Sequence, residues 1–479
     1  MTENVKIGIE IHCQLTGLKS KLFCKCRGDY RNDLPNRNVC PICTGQPGTM
    51  PLLNNKAIDY SCMIALALNC NIPSEMGFYR KNYFYPDLPK NYQITQYDSG
   101  GISSVGSNGQ LEFGKEYARI RRIQLEEDPG RLVYESGDME TSFYTLVDYN
   151  RAGTALVEIV TEPDFKDAAT VRAFLNKLTS ILEHLGVCNT KLEGSVRCDA
   201  NISIDNGKRV EIKNVGSFRE VEKALNFEIT RQESLSSRNI EIKSETRHWD
   251  NERKVTKQSR AKEEEQDYKY FLEPDIPIVL LDKSYLNSIQ HAMPELPDRR
   301  RIRFVEEYQL SDHVSQVLIN NKEMADFFES AVQIYFSPKA IANWLVTDVM
   351  SYVVVSKTDD SSLTDLKIGP RHIADLAKLV DESLISRHTA KSIMNRIMRT
   401  GEMPSQLVNQ SDSSKIIDEK ILSKAIEDTF NSERAAVIDA STNPSVVNFL
   451  LGKVLKLTKG RADPQIVLSL IVDKLNKIK

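Results

Sequence analysis

The sequence predicts an α+β domain over residues 1–292, an all-α helical domain over 293–405 and a small all-α tail over 406–479. Three observations carry that prediction. A chain of 479 residues exceeds one ordinary core and suits two or three domains of about 100 to 200 residues each. Short alternating or apolar runs with the two-residue period of strands dominate up to about residue 290, and the period becomes helical from Met293 onward. A polar stretch from Met403 to Ser414 then separates the tail.

The strand runs are Val5 to Ile11, Ala118 to Leu125, Thr154 to Thr161, Val196 to Ile204 and Val210 to Val215, separated by Gly, Pro, Asn and Asp clusters. A three-residue loop at Asn206, Gly207 and Lys208 sets Ile204 opposite Val210, Ile202 opposite Ile212, Asn201 opposite Lys213 and Ser203 opposite Glu211. The helical region opens with Pro294 to Pro297 and a charged run, Asp298 to Arg303. In the tail, Asn443-Pro444 and Asp463-Pro464 each read as a capping residue followed by proline at the first helical position, and Gly460 reads as a stop.

With 41% hydrophobic, 27% charged and 7% aromatic residues, the composition is that of a globular protein rather than a disordered or fibrous one. A net charge of −3 means that any site for a polyanion must concentrate its basic residues locally. No window reaches the ~18 to 20 apolar residues of a membrane span and the N-terminus has no signal-peptide pattern, so the expected location is cytoplasmic, with no membrane partner. Nine cysteines, an odd number, point to reduced thiols rather than a disulfide framework.

Strand alternation puts Glu10 and His12 side by side, opposite to Ile7, Ile9 and Ile11. The pair can share a divalent ion, a proton or a salt bridge, or form a half-exposed polar face. Ile123, Leu125 and Glu127 share a face, so Glu127 is a carboxylate on an otherwise apolar side, and Glu158 sits inside the apolar run Ala155 to Val160. Such acids need a cation or a donor. Together with a histidine they make a magnesium site, alongside the plainer reading of separate salt bridges. The polar face of the next strand pair carries Arg197, Asp199, Asn201, Glu211 and Lys213, either solvated or open to a nucleotide or ion.

Cys24-Lys25-Cys26 and Cys40-Pro41-Ile42-Cys43 have the paired form of a structural tetrathiolate zinc site. Gly109 to Lys115 imitates a phosphate-binding loop until Glu116 stands where Ser or Thr is required, so any ATP site must be of another kind. The segment Arg80 to Tyr92, with Lys81 and Lys90 among aromatics and prolines, is the better phosphate candidate. Between Lys453 and Lys479 stand seven basic residues and two acidic ones, a surface suited to a phosphate backbone or a solvated helix face.

Strings along nearly the whole chain resemble the GatB branch of the GatB/GatE family, the tRNA-handling component of aspartyl/glutamyl-tRNA amidotransferases. They include Ile7-Gly-Ile-Glu-Ile-His12, Cys40-Pro-Ile-Cys43, Arg80-Lys-Asn-Tyr-Phe-Tyr-Pro-Asp87, Leu125-Glu-Glu-Asp128, Val147-Asp-Tyr-Asn-Arg-Ala-Gly153, Glu193-Gly-Ser-Val-Arg-Cys-Asp-Ala-Asn201 and Lys459-Gly-Arg-Ala-Asp-Pro-Gln465. The resemblance implies a cradle similar to the glutamine synthetase and guanido kinase catalytic fold, then a helical domain and a YqeY-like tail. It implies ATP-dependent phosphorylation of the side chain of Glu-tRNA(Gln) or Asp-tRNA(Asn), followed by amidation. The ammonia comes from an amidase subunit (GatA), with a small subunit (GatC) completing a heterotrimer.

By the same resemblance His12, Glu127 and Glu158 hold Mg²⁺, and Glu10, Lys81 and Glu126 act near the reacting groups. Lys90, Asp199, Asn201, Glu211 and Lys213 are further nucleotide or ion contacts, Cys24, Cys26, Cys40 and Cys43 hold Zn²⁺, and Lys453, Lys456, Lys459 and Arg461 meet tRNA. Pro129 and Gln124 depart from the family strings, where alanine and histidine are usual. A GatE-type subunit, which carries a large inserted domain, and a non-catalytic RNA-binding scaffold are the competing expectations.

Overall fold

In the computed structural model the described residues are 5–98, 104–137, 141–205, 207–258, 268–355, 366–410, 419–440, 444–458, 462 and 464–478. They form two compact units, residues 1–299 and 300–479. The fold class is the expected one, α+β followed by α.

Strand β1 (Val5–Gln14) sets the pattern of the first unit, because Ile7, Ile9, Ile11 and Cys13 are buried while Glu10 and His12, alternating with them, stay half-buried. After it come β2 (Glu75–Met76), β3 (Tyr79–Asn82), β4 (Tyr92–Thr95), β5 (Gly106–Phe113), β6 (Glu116–Glu127), β7 (Arg131–Tyr134) and β8 (Thr145–Asp148). The rest are β9 (Ala155–Thr161), β10 (Val196–Ile204), β11 (Val210–Val215), β12 (Glu245–Asp250), β13 (Val255–Gln258), β14 (Phe271–Leu272) and β15 (Val279–Leu280). Eight of them make the main sheet in the order β13-β12-β11-β10-β1-β9-β6-β5. Strands β14, β3 and β4 form a separate three-stranded sheet.

All neighbours in the main sheet are antiparallel except β11 and β12, which run parallel. A parallel pair needs a long crossover, and helix α3 (Phe218–Ser237, in this numbering after α1, Asn55–Ala67, and α2, Ala168–His184) supplies it. Asp167 and Ser217 cap α2 and α3 by accepting the amides of Thr170 and Glu220, which satisfies donors the first helical turn leaves open. Phe174 and Leu178 of α2 and Val221 and Leu225 of α3 join Ile9, Ile11, Val157, Ile159 and Ile202 in one apolar core. Each such side chain contributes about 1.5 to 3 kcal/mol by leaving water. One face of the sheet is thereby closed by helices, and polar residues fall on the other.

The predicted register of the β10–β11 hairpin is displaced by two residues: Val210 faces Ile202, not Ile204, and Glu211 faces Asn201, not Ser203. The turn begins earlier than its polar residues suggest, since the amide of Gly207 donates to the carbonyl of Ile204 and Asp205 takes a left-handed φ of 49°. A bulge between Cys198 and Ala200 adds to the irregularity. A shift of two keeps every side chain on its predicted face, whereas a shift of one would have inverted the hairpin. The imitation phosphate loop is a hairpin, with Gly114 (φ +67°) and Lys115 turning between the paired Phe113 and Glu116.

The second unit contains two apolar cores, one around Phe304, Phe328, Leu345, Ile373 and Ile397 and one around Leu422, Ile426, Leu450, Val454, Val467 and Ile471. Prolines 338, 370, 404, 444 and 464 each occupy the first residue of a helix, where the missing N–H is no loss. No helix among the described residues is long and apolar enough to cross a membrane.

Candidate active site

Residues directly opposite one another in an antiparallel ladder point to the same side. His12 faces Glu158 on β9 and Arg197 on β10, Glu158 faces Gln124 on β6, and Glu10 faces Asp199. The register therefore gathers Glu10, His12, Glu158, Gln124, Glu126, Asp199 and Asn201 on the sheet face away from the helices.

His12 Nε2 lies 3.5 Å from Glu10 Oε1 and 3.6 Å from Glu158 Oε1, and Arg122 approaches the other oxygen of Glu158 at 3.8 Å. One donor atom each from Glu10, His12 and Glu158 falls within 4.8 Å of the others. Burial followed by the charge of Glu158 pushes the Glu10 carboxyl up to about 8. Burial opposes protonation of His12, but Glu158, Glu10 and Glu126 together raise it to about 9. For Glu158, burial is outweighed by His12, Glu10 and Arg122, which lower it to about 2. The cluster is thus one firm carboxylate beside groups that hold protons in the absence of a stronger cation.

Glu126, buried at 7% exposure, accepts a hydrogen bond from Thr95 Oγ1 at 2.8 Å. Burial and then Glu158 raise its proton affinity, against His12, Lys81 and Thr95. Lys81 on β3 sits 4.6 Å from the ring centre of Tyr268 and 5.7 Å from that of Tyr83, a cation held by aromatic faces. The neighbouring Arg80 is committed to Glu273, with two contacts of 2.7 Å.

The carboxylates implied as ligands of one ion are divided by the sheet. Glu127 alternates with Glu126 and turns to the apolar side, where Lys90 Nζ meets its two oxygens at 2.5 and 2.6 Å and the amide of Ile94 donates at 2.8 Å. This pair borders a cavity of about 230 Å³ lined also by Cys24, Cys43, Gly45 and Tyr92. Gln124 donates to the Gln96 carbonyl at 2.9 Å, and the Pro129 carbonyl accepts from Arg151 at 2.9 Å, so both of the positions singled out in the sequence are held by local hydrogen bonds.

Asp128, 1% exposed, ties the end of β6 across the sheet: Gln14 donates at 2.6 Å and Arg197 at 2.8 and 2.9 Å. Burial opposes ionisation, but Arg197, Arg151 and Gln14 hold this carboxyl below its usual range. Because its folded value is depressed, its stabilisation is complete above the unfolded value of about 3.9 and is lost as pH falls through the folded one. Asp128→Asn should therefore cost about 3 to 5 kcal/mol at neutral pH. Urea unfolding over a pH series should show the gap between wild type and variant closing only below about pH 4.

Lys213 Nζ lies 3.3 Å from Asp199 and 3.5 Å from Glu211, while Thr246 Oγ1 donates to Glu211 at 3.0 Å. Asn201 Oδ1 is buried without a hydrogen-bond partner. Cys24, Cys26, Cys40 and Cys43, 13 residues apart between pairs in the sequence, converge with their sulfurs within 4.8 Å of one another and can hold a metal ion. The hydrogen bond from Cys24, then Lys21 and the Cys40 amide, lowers Cys43 to about 4. All nine cysteines are free of disulfides.

Residues 5–287 match the family model described as the GatB/GatE catalytic domain. The chain belongs to the GatB/GatE family. A second model, described as a GatB domain, matches residues 326–475, which takes in part of the first helical core and all of the second. The B-type component of the aspartyl/glutamyl-tRNA(Asn/Gln) amidotransferase from Saccharolobus solfataricus is 46% identical, over 98% of this chain and 99% of the relative. The component of the same name from Thermotoga maritima is 43% identical over 98% of each chain. The cluster described above lies wholly inside the catalytic-domain match.

Sequence reasoning missed Asp128, Gln14, Thr95 and Lys21 as site neighbours. Asp128 carried a signal, being the third acid of an unusually acidic strand end, whereas the others are distant in sequence from what they touch. In the tail Lys453 pairs with Glu433 at 2.6 Å and Lys456 is exposed, while Lys459 and Arg461 lie outside the described residues.

Proposed function

We propose that this chain is the carboxylate-activating subunit of a cytoplasmic, tRNA-dependent amidotransferase, a ligase that forms a carbon–nitrogen bond with glutamine as amido donor. The observation that carries this reading is the Glu10, His12 and Glu158 cluster beside Glu126, within a domain matched to a catalytic one. A carboxylate is a poor electrophile, so the side chain of Glu on tRNA(Gln), or Asp on tRNA(Asn), first attacks the terminal phosphorus of ATP and ADP leaves. Ammonia then attacks the carbonyl carbon, phosphate departs, and one proton is lost to give the amide. A partner amidase subunit (GatA) supplies the ammonia, with a small subunit (GatC) completing a heterotrimer.

The donor set, two carboxylates and one imidazole with remaining positions open, suits Mg²⁺ bound partly by water and phosphate. Glu10, His12 and Glu158 would hold it, and Glu127, paired with Lys90, stands apart. When bound, the ion neutralises charge on the phosphate oxygens. Lys81 presents a second positive charge to the phosphates, and Glu126, with its raised proton affinity, accepts the proton that ammonia loses. Asn201, Asp199, Glu211, Lys213 and Lys90 are the further contacts for nucleotide or ion. Lys453, Lys456, Lys459 and Arg461 meet the tRNA backbone.

Four thiols with no open position suit structural Zn²⁺. Metal analysis of the purified chain should find zinc, and Cys40→Ser should lower both zinc content and the thermal midpoint; a variant equal to wild type in both removes the zinc assignment. Function is tested by reconstituting the chain with its amidase partner and assaying both mischarged tRNAs. Amide formation that requires ATP and this chain supports the reading, and amidation at the same rate without it refutes it.

A further inference from the structure

A fully buried lysine stands beside the cysteine cluster. Lys21 is 0% exposed, its Nζ donates to the Asn38 carbonyl at 2.9 Å, and Cys43 Sγ lies 3.7 Å away. Among the described residues no carboxylate forms an ion pair with it. A buried ammonium is strongly unfavourable without a counter-charge, and the group in contact with it that can carry one is the Cys43 sulfur, the nearby Glu127 being already paired with Lys90. Four thiolates around one divalent ion leave two negative charges in a partly buried site, where a close cation is worth far more than in water.

We propose that Lys21 is the internal counter-cation of the Cys24, Cys26, Cys40 and Cys43 centre and sets how tightly that centre holds its ion. The inference rests on the metal reading given above. Its placement is specific. Lys25 lies between two of the cysteines but is exposed, so water screens its charge. Lys21 instead reaches the cluster from within, alongside Gly153, whose φ is +83°. A Cβ built on that glycine would stand 3.4 Å from Cys43 Cβ, 3.7 Å from Lys21 Cδ and 3.8 Å from Glu127 Oε2. Gly153 therefore marks the point where the cluster, the lysine and the Lys90–Glu127 pair converge.

Zinc transfer from the full chain to a chromogenic chelator tests the assignment. Lys21→Met keeps most of the stem and removes the charge, and it should weaken zinc retention by about 10- to 100-fold. Lys25→Met should behave as wild type. The rise in thermal midpoint on zinc loading should shrink in Lys21→Met, because the loaded cluster then keeps its negative charge unopposed. If Lys21→Met does not fold, Lys21→Gln, which removes the charge but keeps a neutral hydrogen-bond donor, carries the same expectation. Unchanged retention in these variants, or equal destabilisation of loaded and stripped protein, overturns the proposal. A wild-type chain that takes up no zinc overturns the metal reading, and this inference with it.

Discussion

Glu158→Gln is expected to lower tRNA-dependent ATP turnover in the reconstituted complex by about 100- to 1000-fold while leaving tRNA binding near wild type. Glutamine has the shape of glutamate but neither its charge nor its full capacity as an ion ligand. Glu158 is the member of the cluster held most firmly as a carboxylate, lowered to about 2 by His12, Glu10 and Arg122 against its own burial. Were its role only to brace His12, the substitution would lower stability and spare turnover. Filter binding of tRNA and phosphate release, measured on the same preparation, separate the two. Turnover that survives would leave the polar face without its central group.

Glu127→Gln is the second large effect, and it arises differently. The side chains of Lys90 and Glu127 are 10% and 4% exposed, so neutralising the acid leaves an ammonium buried without its partner. The cost is about 3 to 5 kcal/mol, read by chemical denaturation. Adding Lys90→Met should restore most of that stability, since a buried ion pair exchanged for neutral groups of similar size is often close to neutral. Turnover of the double variant should stay below wild type, because it lacks the Lys90 ammonium proposed as a nucleotide contact. Recovery of turnover together with stability would reduce the pair to packing.

How far the sequence reveals these roles depends on whether a residue's partner is near in sequence. The alternation of Ile7, Ile9 and Ile11 with Glu10 and His12 is local, and it places the two polar residues on one face without further information. The face of Glu127 follows equally from Ile123 and Leu125. What alternation cannot supply is the neighbour: that His12 meets Glu158, 146 residues on, is decided by the register of β1 against β9, and that Glu127 meets Lys90 is decided by a loop. The β10–β11 hairpin shows the intermediate case, with faces legible and register off by two because the chain already turns at Ile204 and Asp205, ahead of the predicted loop. Lys21 marks the limit. In a sequence, a lone lysine reads as a solvated charge, and only the packed structure makes it an internal cation.

The central claim, that the side-chain carboxylate is phosphorylated before it is amidated, has a direct isotopic test. Glu-tRNA(Gln) or Asp-tRNA(Asn) carrying ¹⁸O in its side-chain carboxylate is converted by the complete complex in a single turnover, and the inorganic phosphate is analysed by mass. Transfer of one labelled oxygen to phosphate for each amide formed is the predicted result, and it should be lost together with turnover in Glu158→Gln. Amide formed with phosphate free of the label would contradict the account.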